Sequence, residues 1–340
     1  MINDAIKLLT KKINLTSDIM KAVMGEIMTG TASFDEISSF LTTLKEKTET
    51  PDEIAAAASV LREKAIPIRP KVSRLIDTCG TGGDGLYTFN ISTIVSLALA
   101  AYGIPVAKHG NRSVSSSCGS ADLIESLGIP LIKDKNILEK AIEEVGFGYI
   151  FAPYYHPAMK YAMPVRKHLR MRTIFNILGP LANPANPNYQ ILGVYDKKLL
   201  DPVANALKNL NLNAALIVYA NDGMDEKSIF TTTSAKLLKN GEITDIEIMP
   251  IDLNYQNLSP NALKVSNLIE SKEKAEKVLN GINSPELDAI ALNAGWTLFM
   301  LDEVKNPREG YEKIKVLLKD KKVLEKLNQI RAYFKNVYSE

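Results

Sequence analysis

The segment Asp77-Thr78-Cys79-Gly80-Thr81-Gly82-Gly83-Asp84-Gly85 follows a short apolar run and precedes a helical one. Four glycines within six residues let the chain turn its N–H groups toward one point and let a ligand approach the backbone closely. Strand, glycine loop and helix in that order form the unit of a parallel α/β sheet, whose ligands sit at strand C-terminal ends. A second segment, Lys108-His109-Gly110-Asn111-Arg112-Ser113-Val114-Ser115-Ser116, adds cationic and hydrogen-bonding side chains. From Gly85 to Ala121 there is no Asp or Glu, although 24% of the chain is charged. The two segments together read as a site for a multiply charged phosphate ligand.

Gly80-x-Gly82-x-x-Gly85 matches the dinucleotide fingerprint in form. A Rossmann site also needs an acidic residue about twenty positions further on to bind the ribose. The first is Asp122, and Asp84 places a negative charge inside the loop itself. No lysine follows the glycines as in a P-loop, so a nucleoside triphosphatase is excluded.

The pattern of apolar residues divides the chain. Ile19, Met20, Val23, Met24, Ile27 and Met28 recur at helical spacing, with Thr16 as N-cap and Gly30 as stop. Ser33-Phe34-Asp35-Glu36 and Thr50-Pro51-Asp52-Glu53 are capping boxes, and an alanine-rich helix follows the second. Residues 1–70 are expected to form an all-helical lobe. Past Pro70, Ser73–Asp77, Ile104–Ala107, Gly148–Ala152, Gln190–Tyr195 and Ala214–Tyr219 read as strands with helices between them, including one from Ser92 to Tyr102. This makes 71–340 an α/β domain with a mostly parallel central sheet. A basic, helical stretch from Met159 to Asn176 is expected to return to the first lobe, placing a return segment at about 159–186. The last hundred residues read as helices, one starting at Ser284-Pro285.

A chain of 340 residues with 46% apolar content supports a large buried core and two lobes. No signal-peptide pattern and no apolar run of membrane-spanning length occur in it. The net charge of +2, with bases scattered among acids, argues against nucleic-acid binding. Cys79 and Cys118 are read as reduced thiols of a cytoplasmic protein.

Several residues keep two readings. Thr88, Asn90, Ser92 and Thr93 stand at the start of a helix, where they could cap it or hold phosphate. Asp225-Glu226, after a strand, is either solvated charge or a carboxylate pair for Mg²⁺ on a pyrophosphate. His156 could be a packed core histidine and Arg166 a surface cation. The three histidines do not pair at metal spacing, which argues against zinc.

In combination, CGTGGDG (79–85), TFNIST (88–93), KHGNRSVSS (108–116), GSAD (119–122), HPAMK (156–160), RTIFNILGPLANP (172–184) and GMDE (223–226) resemble the anthranilate phosphoribosyltransferases along essentially the whole chain. The resemblance implies a small helical lobe, a larger α/β lobe of the nucleoside phosphorylase/phosphoribosyltransferase type, a cleft between them and a homodimer. It implies that phosphoribosyl pyrophosphate (PRPP) and anthranilate give N-(5-phosphoribosyl)anthranilate and pyrophosphate with Mg²⁺, in tryptophan biosynthesis. It assigns Gly80, Gly83, Asp84, Thr88, Asn90, Ile91, Ser92, Thr93, Lys108, His109, Gly110, Asn111, Arg112, Ser113, Val114, Ser115, Ser116 and Ser120 to PRPP. Ser92, Asp225 and Glu226 are implied as metal ligands. Gly80, His109, Asn111, His156, Arg166, Gly179 and Pro180 are implied to face anthranilate. Lys108 is implied as the electrostatic catalyst, with no acid–base pair. Where the family carries a lysine or similar polar residue and then serine before GSAD, this chain has Ser117 and Cys118.

Two rivals remain at this level. A pyrimidine nucleoside phosphorylase shares the architecture, but its phosphate segment reads Lys-x-Ser-Gly-Arg where this chain has Lys108-His109-Gly110-Asn111-Arg112. A PRPP-binding sensor would keep the fold and lose the reaction.

Overall fold

The computed structural model describes residues 1–112, 118–251 and 259–337. Ser113, Val114, Ser115 and Ser116 of the second anion segment lie outside the described residues.

The N-terminal helices start where the sequence places their caps. Thr16 accepts from the Ile19 N–H, and Gly30 ends the helix Ser17–Thr29 in the left-handed region. Both capping boxes form, opening the helices Phe34–Lys47 and Pro51–Lys64. Glu53 closes the second box and is wholly buried. One oxygen takes the Thr50 N–H and the Lys47 ammonium, each at 2.8 Å, and the other takes the Leu15 N–H. Three segments of the helical lobe therefore meet at one paired, buried carboxylate. The core of these helices continues through Ala162, Val165, Ile174, Phe175, Ile177 and Leu178, so the chain from 159 onward packs back against them.

Seven strands make one sheet: β1 (Ile76–Asp77), β2 (Val106–Gly110), β3 (Phe147–Phe151), β4 (Tyr189–Gly193), β5 (Ala214–Ala220), β6 (Thr233–Lys239) and β7 (Glu242–Ile248). Their order is β3-β2-β1-β4-β5-β6-β7, with the first five parallel and the last two antiparallel. The order reverses between β1 and β4, which opens a crevice beyond their C-terminal ends. The glycine loop leaves β1 into that crevice.

Several expectations shift on contact with the structure. Pro105 has no N–H for the ladder, so β2 starts at Val106 and runs on through Lys108, His109 and Gly110. The expected strand Ser73–Asp77 pairs only at Ile76 and Asp77. The basic stretch is not one helix: a 3₁₀ turn at Pro157–Lys160 and the helices Met163–Leu169 and Phe175–Leu181 are separated near Arg170, which has φ 50°. The last hundred residues are not wholly helical, since β7 lies among them. Asn240 and Gly241 join β6 to β7 with φ of 52° and 78°, the geometry of a two-residue hairpin turn, and Asn-Gly was its signal in the sequence.

Replacing Glu53 by Leu would take its direct ion-pair partner from the Lys47 ammonium, whose side chain is only 3% exposed. The expected cost is about 3–5 kcal/mol in denaturant unfolding, whereas Lys64→Ala at a surface pair costs less than about 1 kcal/mol.

Candidate active site

Asp77, the last residue of β1, is fully buried and organises the crevice. Its Oδ1 accepts the N–H of Cys79 at 3.0 Å and of His109 at 3.1 Å. Its Oδ2 accepts from Asn183 Nδ2 at 2.8 Å, and the same amide donates to the Ala107 carbonyl at 2.9 Å. Burial raises its pKa to about 6, against the opposing pull of Lys108 and these donors. The glycine loop, β2 and the return segment are thus tied to one carboxylate. Neither Asp77 nor Asn183 stood out as a site residue in the sequence; the signal was an acid ending a strand just before glycines.

The loop then reaches across to β4. Thr81 donates its N–H to the Gly193 carbonyl at 2.9 Å, and its hydroxyl accepts from the Tyr195 N–H at 3.1 Å. Gly82, Gly83 and Gly85 have φ of 61°, 80° and 76°, values that favour glycine. A Cβ on Gly193 would overlap the Asp225 carbonyl, which explains why the loop after β5 can close onto β4. A Cβ on Gly80 would crowd the Gly193 carbonyl at 3.1 Å and lie in ordinary contact with Asp225 Oδ2 at 3.5 Å.

Lys108 lies beneath the loop. Its ammonium donates to Ser92 Oγ at 3.1 Å and to Thr78 Oγ1 at 3.3 Å, and it is 1% exposed. Asn90 precedes the helix Ile91–Tyr102 but makes no side-chain cap. Its amide instead reaches Cys118 Sγ at 3.1 Å and Ser271 Oγ at 3.3 Å, so the simple capping reading fails for Asn90. Ile91 and Thr93 turn their side chains into the core and could serve a ligand through backbone alone. Thr88 bridges to Lys264 in a short antiparallel pair. Gly110 is pressed against Tyr149 and Ser120, whose hydroxyls bond at 2.7 Å, and Asn111 is exposed beside them. Arg112 is held by Asp122 and Glu125 of the following helix. Its charge is therefore largely spent away from the loop. Cys79 and Cys118 form no disulfide.

Acidic residues gather on the far side of the loop. Burial, Asp84 and Glu226 drive the Asp225 pKa well above the usual carboxylate range. Glu226 is raised as well, by burial first, while Lys227 and Lys108 pull the other way. Asp84 Oδ2 is buried with no hydrogen-bond partner. Asp84, Asp225 and Glu226 are neighbouring carboxylates, and the burial that raises Asp225 and Glu226 is relieved by a divalent cation. Among the described residues no group of three or more His, Cys, Asp or Glu is placed to enclose a metal by itself. That combination suits Mg²⁺, which takes one or two carboxylates and completes its shell with phosphate oxygens and water.

The return segment brings the remaining residues. His109 Nδ1 meets the Gly179 carbonyl at 3.1 Å, and its ring lies 5.2 Å from that of His156. A carbonyl only accepts, so Nδ1 carries the hydrogen and Nε2 is left with a lone pair. Nε2 of both rings is buried and unpartnered. Burial lowers the His109 pKa to about 3 and that of His156 to about 4, so both rings are neutral at neutral pH. Pro180 is held through its carbonyl by Gln190 Nε2 at 2.7 Å. Arg166 is half-buried, stacks over Phe175 at 5.3 Å and contacts Met163 Sδ. No carboxylate pairs with it among the described residues.

Comparison with known proteins agrees with this arrangement. Residues 3–65 match the glycosyl transferase family helical bundle domain and residues 72–323 its a/b domain. An anthranilate phosphoribosyltransferase of Persephonella marina is 42% identical over 338 residues, covering 98% of this chain and 99% of the relative. The chain belongs to the anthranilate phosphoribosyltransferase family. The enzyme of that name from Thermus thermophilus superposes with a TM-score of 0.89 at 35% identity, over 98% of this chain and 99% of the other. The Saccharomyces cerevisiae member, solved in complex with PRPP and Mg, gives a TM-score of 0.89 at 25% identity, over 98% of each chain. The helical lobe, the mostly parallel sheet and the crevice at its reversal are thus family features. No helix among the described residues is long and apolar enough to cross a membrane.

Two outcomes follow from the buried groups. In Asp77→Asn one side of the side chain becomes a donor facing other donors, and Asn183 cannot turn without losing its bonds to Ala107 and Ala185. A stability loss of about 2–4 kcal/mol is expected in urea unfolding. The histidines add a pH signature. Unfolded rings protonate near 6.5, while the folded ones resist until about 3 and 4. Their contribution is complete above about pH 7 and is lost as pH falls from about 6.5 to 4. His156→Gln should flatten the Tm–pH curve in that window relative to the unaltered chain.

Proposed function

We propose that this protein transfers the phosphoribosyl group of PRPP to the amine of anthranilate, releasing pyrophosphate, as the names of its relatives state for them. The observation that carries this reading is a group of buried carboxylates against the glycine loop. Asp84 and Glu226 both act on the buried Asp225, and Arg166 is half-buried without a carboxylate partner among the described residues. A Mg²⁺-bound pyrophosphate answers the first and an aromatic carboxylate the second.

In this reading the pyrophosphate of PRPP lies on the backbone of Gly80–Asp84 and near the N-terminus of the helix Ile91–Tyr102, where the helix dipole favours anions and the Ser92 N–H already meets the Glu226 carboxylate. Lys108 stiffens this cradle through Thr78 and Ser92 and supplies positive potential from beneath. Asp225 and Glu226, with the Ser92 hydroxyl, would hold Mg²⁺, which when bound would neutralise charge on the leaving group. Asn111 and Ser120 complete the phosphate contacts among the described residues. The acceptor sits by Gly179, Pro180, His109 and His156, with Arg166 orienting its carboxylate.

As the C1–oxygen bond of the ribose breaks, positive charge grows on the sugar and negative charge on pyrophosphate. The preorganised N–H groups and Lys108 stabilise the latter. The aniline nitrogen is neutral and already carries its lone pair, so attack needs no prior deprotonation. Two neutral imidazoles and a dry wall keep water from competing for C1. Within this account, 1–70 with the 159–186 segment forms the acceptor-side lobe of a cytoplasmic homodimer, and 71–340 the phosphoribosyl side.

Mixing the protein with PRPP and Mg²⁺ should cause a loss of anthranilate fluorescence that requires both. Arg166→Ala should raise the anthranilate KM about tenfold or more with a smaller change for PRPP, and Lys108→Ala should weaken PRPP use. An unchanged anthranilate KM in Arg166→Ala would overturn the acceptor assignment.

A further inference from the structure

Arg172 has no place in the reaction as described, yet its contacts are specific. Its Nη2 donates to the Gly83 carbonyl at 2.6 Å, and its guanidinium lies over the Tyr195 ring at 3.8 Å from the centroid. Among the described residues no carboxylate pairs with it. The side chain starts from a firmly held stretch: the next residue, Thr173, is buried with its N–H on Asn176 Oδ1 at 3.0 Å, and Ile174 and Phe175 belong to the helical-lobe core. Tyr195 in turn donates its N–H to Thr81 Oγ1. Arg172 therefore reaches from a segment packed on one lobe to the exposed tip of the glycine loop on the other.

The loop needs such a restraint. Gly82 and Gly83 are exposed, lack side chains and sit at positive φ, so only backbone contacts fix them, among them the Gly82 N–H on the Asp225 carboxylate. Thr81 is tied to Gly193 and Tyr195, and Gly83 to Arg172. With the Gly82 N–H on Asp225, these anchors on either side hold the loop tip to a defined course. We infer that Arg172, stacked on Tyr195, is a positioning residue that presets the glycine loop for PRPP from the acceptor-side lobe. A planar guanidinium is required, because it must stack and donate in one plane; a lysine ammonium carries the same charge and can do neither together. The gain is preorganisation: binding does not first have to order the loop.

The inference rests on the glycine loop being the PRPP cradle, and the test separates the two. PRPP with Mg²⁺ is titrated calorimetrically into the full chain without anthranilate, for the unaltered protein, Arg172→Ala, Arg172→Lys, Tyr195→Leu and the Arg172→Ala/Tyr195→Leu pair. Each single variant should bind PRPP about fivefold to tenfold more weakly. Arg172→Lys should resemble Arg172→Ala, and the double variant should be no more than about twofold worse than the weaker single one. The anthranilate KM and the melting temperature should stay near those of the unaltered protein. Should Arg172→Lys bind like the unaltered protein, the residue acts by charge alone and the inference fails. Fully additive losses, or a defect confined to the anthranilate KM, also overturn it. Tight binding by the unaltered protein with no loss in any variant refutes the inference but leaves the cradle standing. Absence of PRPP binding to the unaltered protein overturns both.

Discussion

The carboxylate of Asp77 receives N–H groups from the glycine loop, from β2 and from the Asn183 side chain at the end of the return segment. Each of these stretches comes from a different part of the sequence, and each carries one portion of the site. The loop brings amides, β2 brings Lys108 and His109, and the return segment brings Gly179 and Pro180. Because the carboxylate is buried, every one of its bonds is made in a low-dielectric setting, where a missing partner is costly. Sheet topology adds the remaining constraint. The reversal between β1 and β4 opens the crevice, and Gly193 lets Asp225 close against it from the loop after β5.

The site is asymmetric in charge. On the phosphoribosyl side, burial first and neighbouring carboxylates second raise the pKa values of Asp225 and Glu226, an arrangement that a bound cation relieves. On the acceptor side, two imidazoles are kept neutral by burial and Arg166 is kept without an anion. Ligands of matching charge relieve both conditions. Burial thus does the selecting: it makes each unpaired group expensive in the free protein and each correct partner worth more in the complex.

Much of the fold was legible because it is local. Thr16, Ser33 and Thr50 cap helices through bonds three residues away, and apolar periodicity needs only a short window. Five parallel strands were readable for the same reason, although Pro105 shifted β2 and the basic stretch broke near Arg170. The β6–β7 hairpin was not read, although Asn240-Gly241 marks its turn, because its strands mix polar and apolar residues and lack the solid apolar runs of β4 and β5. The chemistry-bearing segments were legible as clusters of residue types. What periodicity and spacing do not show is partnership across distance: that Arg112 is taken by Asp122 and Glu125, that Lys108 lies under the loop, or that Asp77 meets Asn183. Those depend on the tertiary fold bringing remote segments together.

The central claim is that one crevice, at the reversal of the sheet, takes PRPP through the glycine loop and the carboxylate group beyond it. A crystal structure of the protein with PRPP and Mg²⁺ tests this most directly. The account predicts pyrophosphate oxygens on the amides of Gly80–Asp84 above Lys108, with Mg²⁺ between them and Asp225 and Glu226. Pyrophosphate density away from the glycine loop, or Mg²⁺ bound without either carboxylate, would contradict it.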